Sequence, residues 1–214
     1  MKVRKVVIRA QGGPEVMELV EDELGPPGPG EVQIGQSAIG LNYMDVYQRS
    51  GAYPLSLPSG LGLEAAGRVL ATGPDVSEFA EGDRVAYAGA LGAYASARNA
   101  PAGRCVKLPE AVSDEVAAAV LMKGMTVEYL LNRTHKVQPG EDVLFWAASG
   151  GVGQLAGQWG KHLGARMIGV TAGKENCAAI LKLGYADAID RKREDVAARV
   201  RELTGGKGVS VVYD

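Results

Sequence analysis

Through the first half of the chain, apolar residues come in short β-branched runs broken by turn residues. "KVRKVVIRA", "MELVEDEL", "VQIGQSAIGL", "AAGRVLATG", "GDRVAYAGALGAYASARN" and "CVKLP" are separated by "QGGPEV" and "GPPGPGE". Period-two runs between Gly and Pro clusters predict a small, mostly β domain, a barrel or a sandwich. One segment departs from it: "NYMDVYQRSGAYP" is polar and aromatic, and predicts a helical turn followed by a loop.

From Ser113 onward the period changes. "SDEVAAAVLMKGMTVEYLLNRT" opens with a Ser113 cap and acidic residues in its first turn, then places apolar residues at helical spacing. Strands are predicted at "VLFWAA", "ARMIGVT", "AIDRK" and "GVSVVYD", and helices at "GGVGQLAGQWGKHLG", "KENCAAILKLG" and "EDVAARVRELTGG". The last helix carries Val196, Val200 and Leu203 on one face. Strands alternating with helices of this length predict a parallel sheet built of right-handed βαβ crossovers.

The first strand of this second half runs into "FWAASGGVGQ". Against the pattern G-x-G-x-x-G the residues are Ala148, Ser149, Gly150, Gly151, Val152 and Gly153, with alanine in the first place. Between a strand and a helix, such glycines let backbone N–H groups approach a pyrophosphate at the positive end of the helix dipole. The alternative is close packing of helix on strand. The βαβ setting favours dinucleotide binding. The second strand ends in Thr171, Ala172, Gly173 and Lys174, with no acid at its tip for a ribose hydroxyl. That favours NADPH over NADH, with Lys174 or Arg191 as partners for the 2′-phosphate. An exposed first-turn lysine is an equal reading of Lys174, and Glu175 keeps an NAD reading open. Gly157 and Gly160 lie inside the following helix, where each costs up to about 1 kcal/mol relative to alanine; tight packing on the sheet would account for both.

Composition narrows the classes. The 214 residues are 46% hydrophobic and 22% charged, enough for one large domain or two small ones. With 23 basic and 25 acidic residues the formal charge is -2, which gives no electrostatic case for nucleic acid or an anionic membrane. No apolar run approaches the roughly 18 residues of a membrane span, and the start lacks a signal core, so a cytoplasmic protein is expected. Cys105 and Cys177, far apart, predict small buried or half-buried apolar residues rather than a disulfide. The 30 glycines show no fixed period.

Together, "GLNYMDVYQRSGAYPLSLPSGLGLEAAGRV", "EGDRVAY", "LMKGMTVEYLL", "AASGGVG" and "RELTGGKGV" resemble the zinc-free, zeta-crystallin-like quinone oxidoreductases of the medium-chain dehydrogenase/reductase superfamily, in unbroken order along the whole chain. The resemblance implies a GroES-like β domain over residues 1–112. Residues 113–214 would form a linking helix and the N-terminal part of a Rossmann domain, with NADPH held in the cleft between the domains. Members of this family are longer, so the chain would correspond to their N-terminal two thirds or so, and a homodimer when complete. Asn42 and Tyr47 would approach the nicotinamide, Tyr53 would line the same cleft, and Thr126 would contact the cofactor. Ser149, Gly150, Gly151, Val152 and Gly153 would hold the pyrophosphate, and Gly173, Lys174 and Arg191 the adenosine phosphate. Read without the resemblance, Tyr47 and Tyr53 are simple loop packing.

The zinc-dependent relatives carry Gly-His-Glu where this chain has Gly62, Leu63 and Glu64, and they add a cysteine-rich lobe. His135 and His162 have no carboxylate or cysteine at ligand spacing in the sequence, so no metal site is expected. The implied activity is zinc-independent transfer of hydride from NADPH to a quinone or an electron-poor enone, with no residue marked as a general acid. Two alternatives are a non-catalytic NADPH-binding or structural protein and a reducer of enoyl thioesters.

Overall fold

The computed structural model describes residues 1–214. The chain forms two compact units, Met1–Met122 and Lys123–Asp214. The division falls inside a helix, ten residues beyond the 112/113 boundary at which the sequence pattern changes.

In the first unit, β1 (Lys2–Ile8) pairs antiparallel with β2 (Met17–Glu23) and, at its end, with the short β4 (Ser59–Gly60). Between β4 and the long β3 (Glu31–Gly40) lies α1 (Tyr43–Ser50). β3 belongs to an antiparallel sheet with β5 (Glu64–Thr72), β6 (Arg84–Ala88), β7 (Ala97–Pro101) and β8 (Cys105–Lys107), in the order β7-β3-β5-β6-β8. Alternate positions of these strands point inward, and Val32, Ile34, Val69, Val85 and Tyr87 form the core. Burial pushes the Tyr87 phenol up to about 12, and its hydroxyl is satisfied by Gln36. Burial likewise pushes the Cys105 thiol up to about 11, as suits an apolar core residue; Cys177, half-buried, is also raised, first by burial.

The run "GDRVAYAGALGAYASARN" is not one strand. It breaks over residues 89–96, where the backbone turns to β1 instead: Val6 N–H donates to the Tyr94 carbonyl at 2.8 Å and Ser96 N–H to the Arg4 carbonyl at 2.8 Å. Those polar groups are satisfied without a continuous strand.

The helix predicted from Ser113 is α2 (Asp114–Tyr129), and a π-helical turn, Leu130–Thr134, completes it. Ser113 Oγ accepts from Val116 N–H at 3.2 Å, a side-chain N-cap. The first turn is clamped to the β sheet by Arg84, whose guanidinium donates twice to Asp114 Oδ1, at 2.6 and 3.0 Å, and once to the Val112 carbonyl at 2.6 Å. Small residues then allow close contact: Ala117 and Ala118 pack on Ala66 and Ala86.

The second unit is a parallel sheet of β9 (Asp142–Phe145), β10 (Arg166–Thr171), β11 (Asp187–Asp190) and β12 (Val211–Tyr213), in the order β11-β10-β9-β12. After β11 the chain returns across the sheet to the far side of β9, which makes the gap between β9 and β12 the topological switch point. Helices α3 (Gly151–His162), α4 (Lys174–Lys182) and α5 (Val196–Leu203) connect the strands. Val143, Phe145 and Met167 face Ala156 of α3 and Ile180 of α4, while Leu144, Ile168, Val170 and Ile189 face Val200, Val196 and Leu203. The sheet is therefore covered on both sides, as a doubly wound fold requires. Both glycines inside α3 are packing positions. A Cβ on Gly160 would lie 2.2 Å from the Met167 sulfur, and one on Gly157 would lie 2.4 Å from the Tyr185 ring.

The Ser37 hydroxyl, and then Arg84, hold the Asp114 carboxyl below its ordinary range. A carboxyl depressed in the folded state stabilises above its unfolded pKa of about 3.9 and loses that contribution as pH falls through the folded value. Asp114→Asn is expected to lower the unfolding free energy by about 1–2 kcal/mol at pH 7. The gap to wild type should close as the pH is taken below about 4, which urea unfolding over a pH series measures.

Candidate functional site

The turn between β9 and α3 is built by local sequence. The predicted strand "VLFWAA" ends at Phe145; Trp146 N–H still donates to the Tyr213 carbonyl at 2.8 Å, and Ala147 then turns the chain at φ 49°. Gly150 N–H closes the turn on the Ala147 carbonyl at 2.8 Å. Gly150 is the N-cap of α3 and offers no side chain to the first N–H groups of the helix, which are left for another acceptor. Gly153 sits where the helix meets the strand: a Cβ there would lie 2.6 Å from the Ala147 oxygen and from Ala148, all backbone. On Gly151 a Cβ would meet the stem of Lys123 at 2.9 Å, a flexible neighbour.

A cavity of about 510 Å³ opens at this turn. It is lined by Thr126, Tyr129, Trp146, Gly150, Gly151 and Gly153, among others, and by Val212 and Tyr213 of β12. It thus occupies the crevice at the carboxyl ends of β9 and β12, where open α/β sheets bind their ligands. An uncapped helix N-terminus, a backbone cradle that side chains would fill and an adjoining cavity at the switch point fit the pyrophosphate of a dinucleotide.

Of the residues expected to hold the pyrophosphate, Gly150, Gly151, Val152 and Gly153 line this cavity together with Thr126. Ser149 does not line it. Its hydroxyl is 2.6 Å from that of the buried Thr171, tying the glycine turn to the end of β10. Beyond Thr171, Gly173 caps α4 at φ 89°, a backbone conformation that favours glycine. Gly173 N–H donates to Asp190 Oδ1 at 2.9 Å, and Arg191 N–H to the Thr171 carbonyl at 3.0 Å. The exits of β10 and β11 are therefore bonded to each other, bringing the backbones of Lys174 and Arg191 to one corner of the sheet. Both side chains are exposed and form no ion pair. Glu175 is also exposed, beside Lys174 in the first turn of α4.

The remaining expected residues belong to the first unit. Asn42 is the N-cap of α1 and only 8% exposed; its N–H donates to Asp45 Oδ2 at 2.9 Å and its side-chain amide to Glu64 Oε1 at 2.8 Å. Glu64 is fully buried, and its other oxygen accepts from Met122 N–H of α2 at 2.8 Å. Tyr47 and Tyr53 are partly exposed and stand edge to face with centroids 5.3 Å apart. Tyr43 adds a further edge-on ring, 5.0 Å from Tyr47 and 69% exposed. The three rings thus form an edge-on aromatic cluster with part of its surface open to solvent.

Sequence reasoning passed over Thr171, Asp190, Glu64 and Tyr43. Asp190 had a usable signal, an acid closing a short strand beside a positively charged turn. Glu64 served only as a contrast with the zinc-dependent relatives. His135 Nε2 lies 3.1 Å from Glu141 Oε2, a partner six residues along the chain. No group of three or more His, Cys, Asp or Glu side chains converges to hold a metal ion. No helix is long and apolar enough to cross a membrane.

Fold and site define a class: a GroES-like β unit followed by a Rossmann-type unit with an open glycine turn. Comparison with known proteins agrees. Residues 28–110 match the alcohol dehydrogenase GroES-like domain and residues 151–214 the zinc-binding dehydrogenase family. The chain is 48% identical to quinone oxidoreductase 1 of Escherichia coli over 98% of its own length and 65% of that protein's. It is 43% identical to a 2-haloacrylate reductase from a Burkholderia species, over 99% of its length and 66% of the relative's. The crystal structure of an Escherichia coli quinone oxidoreductase complexed with NADPH superposes with a TM-score of 0.97 at 47% identity, over 99% of this chain and 65% of that one. The chain belongs to the medium-chain dehydrogenase/reductase superfamily, among its quinone-oxidoreductase-like members. It spans just under two thirds of the length of these relatives.

Gly153→Ala should destabilise the protein by about 1–3 kcal/mol, because backbone on both sides cannot yield to the new methyl. Gly151→Ala should cost less than about 1 kcal/mol, since the Lys123 stem can move aside. Denaturant unfolding of the two variants against wild type checks the contrast.

Proposed function

We propose that the protein binds NADPH and transfers its hydride to a quinone or a related electron-poor acceptor, without a zinc ion. The observation that carries this reading is the uncapped N-terminus of α3 opening into the switch-point cavity. Gly151, Val152 and Gly153 would take the pyrophosphate on their N–H groups, with Gly150, its own N–H bonded to the Ala147 carbonyl, lining the site, Ser149 bracing the turn and Thr126 touching the cofactor. Gly173, Lys174 and Arg191 would receive the 2′-phosphate. The missing acid after β10 and the unpaired state of both cations support the phosphorylated cofactor over NADH. When bound, NADPH supplies the hydride, and a proton from solvent completes reduction of the acceptor.

Asn42, Tyr47 and Tyr53 are assigned to the nicotinamide and acceptor. Glu64 accepts from the Asn42 amide and so orients it, while the paired tyrosine rings, partly open to solvent, offer apolar surface that a planar acceptor would cover. Orientation and water exclusion, rather than an acid or base of the protein, do the catalytic work in this reading. The donor set supports the absence of zinc, since Leu63 stands where zinc-dependent relatives carry histidine. The name of the Burkholderia relative supports an electron-poor alkene as a second acceptor class.

Oxidation of NADPH, followed by loss of reduced-nicotinamide absorbance, should depend on an added quinone. Lys174→Ala and Arg191→Ala should each weaken NADPH binding by roughly 3–10-fold and leave NADH nearly unchanged. Tight NADPH binding with no turnover on any quinone, enone or haloacrylate would replace this proposal with a non-catalytic binding role. A clear preference for acyl-CoA substrates would replace it with enoyl-thioester reduction.

A further inference from the structure

At the end of β11, Asp190 is only 6% exposed, yet it is a carboxylate surrounded by turns rather than by core. Its Oδ1 accepts two backbone bonds, from Gly173 N–H at 2.9 Å and from Lys192 N–H at 3.1 Å. Its Oδ2 has no hydrogen-bond partner and lies 3.8 Å from Arg193 Nε. Its own N–H is held by Glu194 Oε1 at 2.8 Å. These bonds, that from Gly173 first, hold its carboxyl below the ordinary range, so the group stays ionised at neutral pH.

The partners of Oδ1 come from two different turns. Gly173 immediately precedes Lys174, and Lys192 immediately follows Arg191. Asp190 therefore directly precedes one cation assigned above to the 2′-phosphate and is hydrogen-bonded to the residue before the other, with its Oδ1 turned onto N–H groups. A carboxylate oxygen, with lone pairs on both sides and no hydrogen of its own, can accept both bonds at once. An apolar side chain of the same size would leave two N–H groups unsatisfied and the two turns joined only by the backbone bond from Arg191 N–H to the Thr171 carbonyl.

We propose that Asp190 is the positioning residue for recognition of the 2′-phosphate: by tying the Gly173 turn to the Arg191 turn it sets the spacing of the cations, and so the preference for NADPH over NADH, without touching the cofactor. The inference rests on the NADPH reading given above. It goes beyond that reading in assigning the discrimination to a buried acid, which by charge alone would be expected to oppose a phosphate.

Fluorescence titration of the full chain with NADPH and with NADH tests it. Asp190→Ala should raise the NADPH dissociation constant about tenfold or more while changing that for NADH less than about threefold. Asp190→Asn, which keeps an acceptor oxygen for both N–H groups, should retain most of the preference and is the variant expected to fold even if alanine does not. Equal loss of both nucleotides in Asp190→Ala would show a merely structural role and overturn the inference. An asparagine variant that loses the preference while its melting temperature is unchanged would overturn it as well. A wild-type chain that binds both nucleotides equally would instead count against the NADPH reading itself, and the inference would fall with it.

Discussion

The second unit depends on how closely α3 approaches the sheet. Gly153, Gly157 and Gly160 present no side chain to the Ala147–Ala148 turn after β9, to Tyr185 and to Met167, and each would-be Cβ falls within 2.6 Å of an existing atom. Larger residues would lift the helix away from the strands. Close approach places the first turn of α3 directly over the end of β9, so that its unsatisfied N–H groups border the switch-point cavity. The helical glycines are unfavourable locally, and the packing they permit outweighs that cost.

A second set of bonds holds the loops at the carboxyl edge of that sheet. The Ser149 hydroxyl meets Thr171, the Thr171 carbonyl accepts from Arg191, and Asp190 accepts from Gly173 and Lys192. Loops of this kind ordinarily vary and move. Here each is tied to its neighbour by a side chain or backbone group at the end of a strand. The glycine turn and the charged corner thus form one braced surface, which is what simultaneous contact with the pyrophosphate and the adenosine end of a dinucleotide would require.

In the first unit the corresponding work is done by buried polar groups. Glu64, fully enclosed, accepts from the Asn42 amide and from Met122 N–H, and Asp45 accepts from the Tyr94 hydroxyl at 2.9 Å. Buried carboxylates are tolerated when such bonds surround them, and they lock neighbouring side chains in one orientation. The tyrosines of α1 and its following loop rest on this frame, with their rings left partly open to solvent.

The change of period at Ser113, the order of strands and helices after it, and the glycine turn are all local patterns, and the sequence by itself determined them. Val196, Val200 and Leu203 announce their facing through spacing, because burial of one helix face needs nothing but periodicity. The absence of an acid at the tip of β10 was equally legible, since it concerns a handful of adjacent residues. Only the tertiary structure decided what joins distant segments. Nothing near Ser149 points to Thr171, nothing near Gly173 points to Asp190, and nothing near Asn42 points to Glu64. The break at residues 89–96 belongs here too, since those backbone groups find their partners on β1. Hydrogen bonds between residues far apart in sequence leave no periodic trace, so they become visible only when strand order and loop path bring the partners together.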